Sequence, residues 1–137
     1  MLPEAIRSLI LDEHARDPQH FLEGVDVDAY LTKLAERAEV LCDWAGGRCR
    51  GVVAFYCNDE ATRQAFITLV LVDPRDRRLG IGRALVMCVL DLARSRGFTA
   101  CRLEVARHND DARDMYAALG FRVVESRGRT EVLEIGL

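Results

Sequence analysis

Val70-Leu71-Val72-Asp73-Pro74-Arg75-Asp76-Arg77-Arg78-Leu79-Gly80-Ile81-Gly82-Arg83 is the stretch on which the reading of this chain turns. An apolar strand runs into Asp-Pro, which stops it, and two glycines then open an amphipathic helix. Glycine lets main-chain N–H groups approach an anion closely, and a helix N-terminus carries about half a positive charge. Four arginines between positions 75 and 83 add local positive charge. The combination suits a phosphate. Gly80-x-Gly82 alone is weak evidence, because a dinucleotide fingerprint needs glycine where Leu85 stands and no Gly-Lys-Ser/Thr follows. A flexible loop with solvated arginines explains the stretch as well.

Outward from the loop, the periodicity predicts a regular order of elements. Helices are expected from Pro3 to about Ala15 and from Asp28 to about Ala38, the second with Tyr30, Leu31, Leu34 and Ala35 on one stripe. Val40 to Trp44 and Cys49 to Cys57 read as strands around a Gly46-Gly47 turn, and Ala65 to Val72 as a third. After the loop come a helix from Gly80 to Arg96, a strand from Ala100 to Ala106, and a helix capped by Asn109 and stopped by Gly120. Phe121 to Ser126 and Thr130 to Ile135 close the chain as strands. The expected fold is mixed α/β (α+β): about six strands in one sheet flanked by about four helices, in a single domain over residues 1–137.

Composition narrows the classes of function. The net charge of −3 gives no global reason to expect nucleic acid as partner. No apolar run approaches the roughly 18 residues of a membrane span, and the N-terminus lacks a signal-peptide pattern. The five cysteines, 42, 49, 57, 88 and 101, are odd in number and lie in mainly apolar runs with no CxxC spacing. They read as buried reduced thiols rather than a disulfide framework or a zinc site, with no metal expected and the cytoplasm as the default location.

A second block makes the loop specific. Leu103-Glu104-Val105-x-x-x-Asn109-x-x-Ala112-x-x-x-Tyr116-x-x-x-Gly120-Phe121 lies beyond the glycine-opened helix. Val-x-Pro, Arg-x-x-Gly-x-Gly, the Asn and a Tyr followed by Gly-Phe together resemble the GNAT superfamily of acetyl-CoA-dependent N-acetyltransferases. The resemblance is close over residues 65–125 and rests on element order upstream. Leu79 departs from it, where many members carry a smaller or polar residue.

The resemblance implies a site and a chemistry. Under it, acetyl-CoA lies in a V-shaped splay between the strands at 65–72 and 100–106. Its pantetheine arm pairs with Val70, Leu71 and Val72 and touches Asn109; its pyrophosphate sits on the turn formed by Arg77, Arg78, Leu79, Gly80, Ile81, Gly82 and Arg83. An amine attacks the thioester directly. Tyr116 matches the tyrosine that protonates the leaving thiolate, although periodicity alone places it on an apolar helix face with Ala112, Met115 and Leu119. Glu104 matches a glutamate used as general base in ribosomal-protein N-terminal acetyltransferases; an ion pair with Arg102 or Arg122 explains it equally. Asp59, Glu60 and His108 are further base candidates that read more simply as turn or cap residues. The implied acceptor is a small-molecule amine, such as an amino sugar, or a peptide N-terminus, and the resemblance admits a homodimer. The competing reading is a non-catalytic acetyl-CoA-binding sensor or partner module.

Overall fold

The computed structural model describes residues 2–137. In chain order the elements are α1 (Glu4–Arg16), α2 (Val27–Arg37), β1 (Glu39–Ala45), β2 (Arg48–Tyr56) and β3 (Gln64–Val72), then α3 (Ile81–Ser95), β4 (Ala100–Ala106), α4 (Asp110–Leu119), β5 (Arg122–Arg127) and β6 (Thr130–Gly136). A 3-10 turn, Pro74–Asp76, lies between β3 and α3. The strands form a six-stranded sheet in the order β1-β2-β3-β4-β6-β5. Every expected element is present, with no end displaced by more than one residue. Pro3 sits one place outside α1 as its N-cap rather than in its first turn.

Contacts gather the chain into two compact units whose boundary falls inside β2, β3 and α3. The first holds residues 2–54 and 69–85. Its core joins Ile6, Leu9 and Ile10 of α1 to Leu31 and Leu34 of α2, and these to Val52, Ala54, Leu69 and Leu71 on the strands. Asp26 starts α2 by accepting from the N–H groups of Asp28 and Ala29 at 3.1 and 3.2 Å. Gly51 is the close-approach point: a Cβ there would stand 2.8 Å from Ile81 Cγ2 and 3.3 Å from Leu85 Cδ1. Only hydrogen fits against the first turn of α3.

The second unit holds residues 55–68 and 86–137. Parallel pairing of β3 with β4 runs from Gln64↔Ala100 to Ile67↔Leu103, although the strands continue to Val72 and Ala106. β4 pairs antiparallel with β6 over its whole length, and β6 with β5, where the register shifts between Val123 and Glu125. Asn109 Oδ1 accepts from Ala112 N–H at 3.3 Å and starts α4. Gly120 ends it at φ +109°, with Phe121 N–H returning to Tyr116 C=O at 3.0 Å.

Two cysteine expectations need correction. Cys42 and Cys49 are paired as a disulfide rather than free thiols; they lie either side of the Gly46-Gly47 turn, their Cα atoms 6.4 Å apart. Cys88 is exposed, while Cys57 and Cys101 are buried as expected. Residues seven apart meet wherever a tight turn folds one strand back on its neighbour, and counting cysteines takes no account of that. With that pair formed, cysteine usage no longer points to a reducing compartment. No helix among the described residues is long and apolar enough to cross a membrane.

Candidate active site

The loop is built on a buried ionic frame that the sequence does not announce. Asp73 and Asp76, at 7% and 8% exposure, are buried despite lying in a surface turn. A buried carboxylate is costly unless it is paired and hydrogen-bonded. Asp76 takes a two-pronged grip from Arg48 of β2, NH1 to Oδ2 at 2.6 Å and NH2 to Oδ1 at 3.2 Å. Asp73 accepts from Arg75 through its backbone N–H at 2.9 Å, Nε at 3.1 Å and NH2 at 2.8 Å. The Arg75 guanidinium holds the Asp73 carboxyl down at about 2, outweighing the opposite effect of burial. Main-chain bonds from Asp73 N–H to Arg50 C=O (2.7 Å) and from Asp76 N–H to Asp73 C=O (2.8 Å) complete the frame.

Arg77 is tied as well, Nε to Val72 C=O at 3.2 Å and NH2 to Glu13 of α1 at 2.8 Å. The four arginines therefore do not act as one positive cloud. Arg75 and Arg77 are engaged by Asp73 and Glu13, whereas Arg78 and Arg83 are exposed and form no ion pair among the described residues. Beyond Arg77 the chain changes character. Arg78 (φ +67°) and Gly80 (φ +80°) both take the left-handed conformation, and Leu79 between them is 64% exposed. Ala84 N–H then bonds to Gly80 C=O at 3.0 Å. The N–H groups just before it, those of Ile81, Gly82 and Arg83, belong to the first turn of α3 and have no partner within their own helix. Val70, Leu71 and Val72 lead into this turn, Leu71 buried and its neighbours half-buried. Residues 70–83 form one continuous strand end, turn and helix start, in the first unit.

Tyr116, Glu104 and Asn109 belong to the second unit. Tyr116 is 6% exposed and is the buried residue of α4; Ala112, Met115 and Leu119 beside it are half-buried. Its ring meets Phe121 edge to face with centroids 5.6 Å apart. Burial, with a smaller contribution from Cys101, pushes the phenol up to about 12. Burial likewise pushes the Cys101 thiol up to about 12, with Cys57 adding to it. Tyr116 therefore stays a neutral O–H donor throughout the ordinary pH range.

Glu104 points away from its buried neighbours Leu103 and Val105, as strand alternation requires. Its ionic partner is not the one expected. Arg102 bonds to Glu134 at 2.8 Å, whereas Glu104 accepts from Thr130 Oγ1 at 2.6 Å and faces Arg127 NH1 at 3.8 Å. Strand β6 lies beside β4, and the β5–β6 hairpin supplies Arg127 from the end of β5 and Thr130 from the start of β6, a register the sequence does not reveal. Asp59 accepts from the N–H groups of Ala61 and Thr62 at 3.1 and 3.2 Å, so it is occupied as a turn residue.

A sheet strand that passes through a proline turn into the start of a helix is an α/β arrangement whose geometry can hold an anion. The chain belongs to the acetyltransferase (GNAT) family, whose model matches residues 5–121. It is 29% identical over 119 residues to the glucosamine 6-phosphate N-acetyltransferase of Trypanosoma brucei brucei, covering 81% of this chain and 78% of that protein. It is 31% identical over 99 residues to the "Probable N-acetyltransferase camello" of Xenopus tropicalis, covering 70% of this chain but only 43% of that protein. The chain thus matches less than half the length of that relative. Among solved structures, the PaiA N-acetyltransferase of Thermoplasma acidophilum in complex with coenzyme A shares the fold at a TM-score of 0.75. That match has 18% identity and covers 98% of this chain and 89% of the other.

Proposed function

We propose that this chain transfers an acetyl group from acetyl-CoA to a primary amine by direct attack, with residues 1–137 acting as one catalytic domain. The observation that carries this reading is the turn at 78–83: two left-handed residues, Arg78 and Gly80, lead into the first turn of α3, whose main-chain N–H groups have no partner within the helix. A diphosphate fits such a donor set. The coenzyme A bound to the Thermoplasma acidophilum relative supports the same ligand here. The edge of Val70, Leu71 and Val72 offers backbone groups to the pantetheine arm, and Asn109 contacts it while capping α4.

In the reaction proposed, the amine arrives as an ammonium and loses a proton to Glu104. Its nitrogen forms a bond to the thioester carbon, and the Leu71 N–H donates to the carbonyl oxygen as negative charge gathers there. The carbon–sulfur bond breaks, the sulfur takes a proton from the Tyr116 hydroxyl, and the resulting phenolate is reprotonated by the second proton that the new amide nitrogen sheds. A phenol that is neutral at working pH donates a hydrogen bond to the developing thiolate and does not repel it. For the acceptor, the glucosamine 6-phosphate named in the Trypanosoma relative supports an amino sugar; other small amines and peptide N-termini remain in the class to be tested.

The test is thiol release from acetyl-CoA across a panel of amino sugars, diamines and peptides, with calorimetry of acetyl-CoA binding in parallel. Turnover on one acceptor class is expected. Tight binding with no turnover on any acceptor would establish the non-catalytic sensor instead. No heat of binding at millimolar ligand would end both readings, and Gly82→Asp, which puts a side chain and a negative charge at the turn, is expected to abolish that heat.

A further inference from the structure

We infer that Arg48 and Asp76 are positioning residues for acetyl-CoA, a strut from β2 that holds the 78–83 turn in its binding geometry; the inference rests on the function proposed above. Arg48 reaches Asp76 across 28 positions of sequence, and both prongs of its guanidinium are engaged, NH1 at 2.6 Å and NH2 at 3.2 Å. Two parallel bonds from a planar fork fix orientation as well as distance. The same NH1 lies 3.5 Å from Asp73 Oδ2, so one arginine touches both carboxylates of the turn.

The placement of the restraint is what assigns its role. Asp73, Arg75, Asp76 and Arg77 are each bonded through side chain, backbone or both. The restraint stops at Arg77, immediately before left-handed Arg78 and exposed Leu79. Recognition by main-chain amides has no side chain that can swing to correct an error, so the platform beneath the turn must be rigid before the ligand arrives. Two buried carboxylates are a costly way merely to end a strand, since apolar residues would fill the space without desolvating charge. Directional bonds set the turn's position in a way that apolar packing does not.

Arg48 also covers the charge of Asp76. Without it an uncompensated carboxylate would stand in the same turn as the diphosphate. The two effects separate in a double variant. Arg48→Met and Asp76→Asn are each expected to raise the KM for acetyl-CoA about tenfold, and its calorimetric Kd by the same factor. The kcat and the acceptor KM should stay within about twofold. Arg48→Lys, which keeps the charge and loses the fork, should fall between, and it supplies a folded variant if a neutral substitution does not fold. The double variant Arg48→Met/Asp76→Asn, which lacks the strut but leaves no uncovered carboxylate, should be as weak as Asp76→Asn alone. Recovery of wild-type affinity in the double variant would show charge cover without a strut and overturn the inference. Folded single variants that bind acetyl-CoA as the wild type does, with only the melting temperature lowered, would overturn it too. A wild-type protein that binds no acetyl-CoA would instead sink the function proposed, a result distinct from either.

Discussion

Thr130 Oγ1 lies 2.6 Å from Glu104 Oε2, a bond that runs diagonally across the β4–β6 ladder, where Glu104 is paired with Val132 and Thr130 with Ala106. The hydroxyl anchors one carboxylate oxygen, while the other lies 3.8 Å from Arg127 NH1; in the function proposed, the threonine holds Glu104 in place for its role as base. Thr130→Val keeps the shape and loses the donor, and turnover is expected to fall about tenfold; Thr130→Ser, which keeps the hydroxyl, should retain it. Glu104→Gln is expected to cost roughly 10²-fold, the scale of a general base. Full turnover in Glu104→Gln would remove Glu104 from the chemistry.

For Tyr116 the expected outcome of Tyr116→Phe is a fall in turnover of about 10²-fold with acetyl-CoA affinity unchanged, measured by steady-state kinetics and calorimetry. The pH dependence has a definite sign. Because burial raises the phenol to about 12, the proton-bearing form persists well above the usual tyrosine range. Any loss of activity on the alkaline side below pH ~10 must come from another group, and the limb should survive in the residual activity of Tyr116→Phe.

Gly51 tests the packing under the loop. A Cβ there would enter the space of Ile81 Cγ2 at 2.8 Å, and Ile81 is buried in the first turn of α3. Gly51→Ala should destabilise the fold by about 1–3 kcal/mol, the usual cost of overpacking, and weaken acetyl-CoA binding by displacing that turn. A melting curve and a titration check it; wild-type values in both would mean that the strand gives way freely.

Asp73 provides an acid-stability prediction. Its folded value of about 2 lies below the ordinary 3.8, so its contribution is fully present above about pH 4 and is lost as pH falls toward 2. Between those limits the melting temperature of the wild type should fall more steeply than that of Asp73→Asn, which has no carboxyl to protonate. Parallel slopes would show that Asp73 gains nothing from Arg75 in the folded state.

Much of the molecule is legible in the amino-acid sequence. Strand alternation places Glu104 opposite Leu103 and Val105, Asn109 reads correctly as a cap, and Gly120 as a helix stop. These are local rules, expressed within three or four residues. The same locality explains the failures. Four arginines in nine residues read as a cloud of positive charge, but Asp73 and Glu13 neutralise two of them, and Glu13 is 64 positions away from Arg77. The cysteine count misses the Cys42–Cys49 pair because the hairpin turn, not the count, brings them together.

The sequence by itself determined the order of elements, the proline-ended strand, the glycine-opened helix and hence the family, because periodicity, capping and turn chemistry act between near neighbours. Only the tertiary structure decided that Arg48 braces Asp76, that Thr130 rather than Arg102 or Arg122 holds Glu104, and that Tyr116 is buried deeply enough to keep its proton. Each of those depends on strand register or on a long-range approach. Such contacts form only once the apolar core has brought distant segments together, and no local pattern records them in advance.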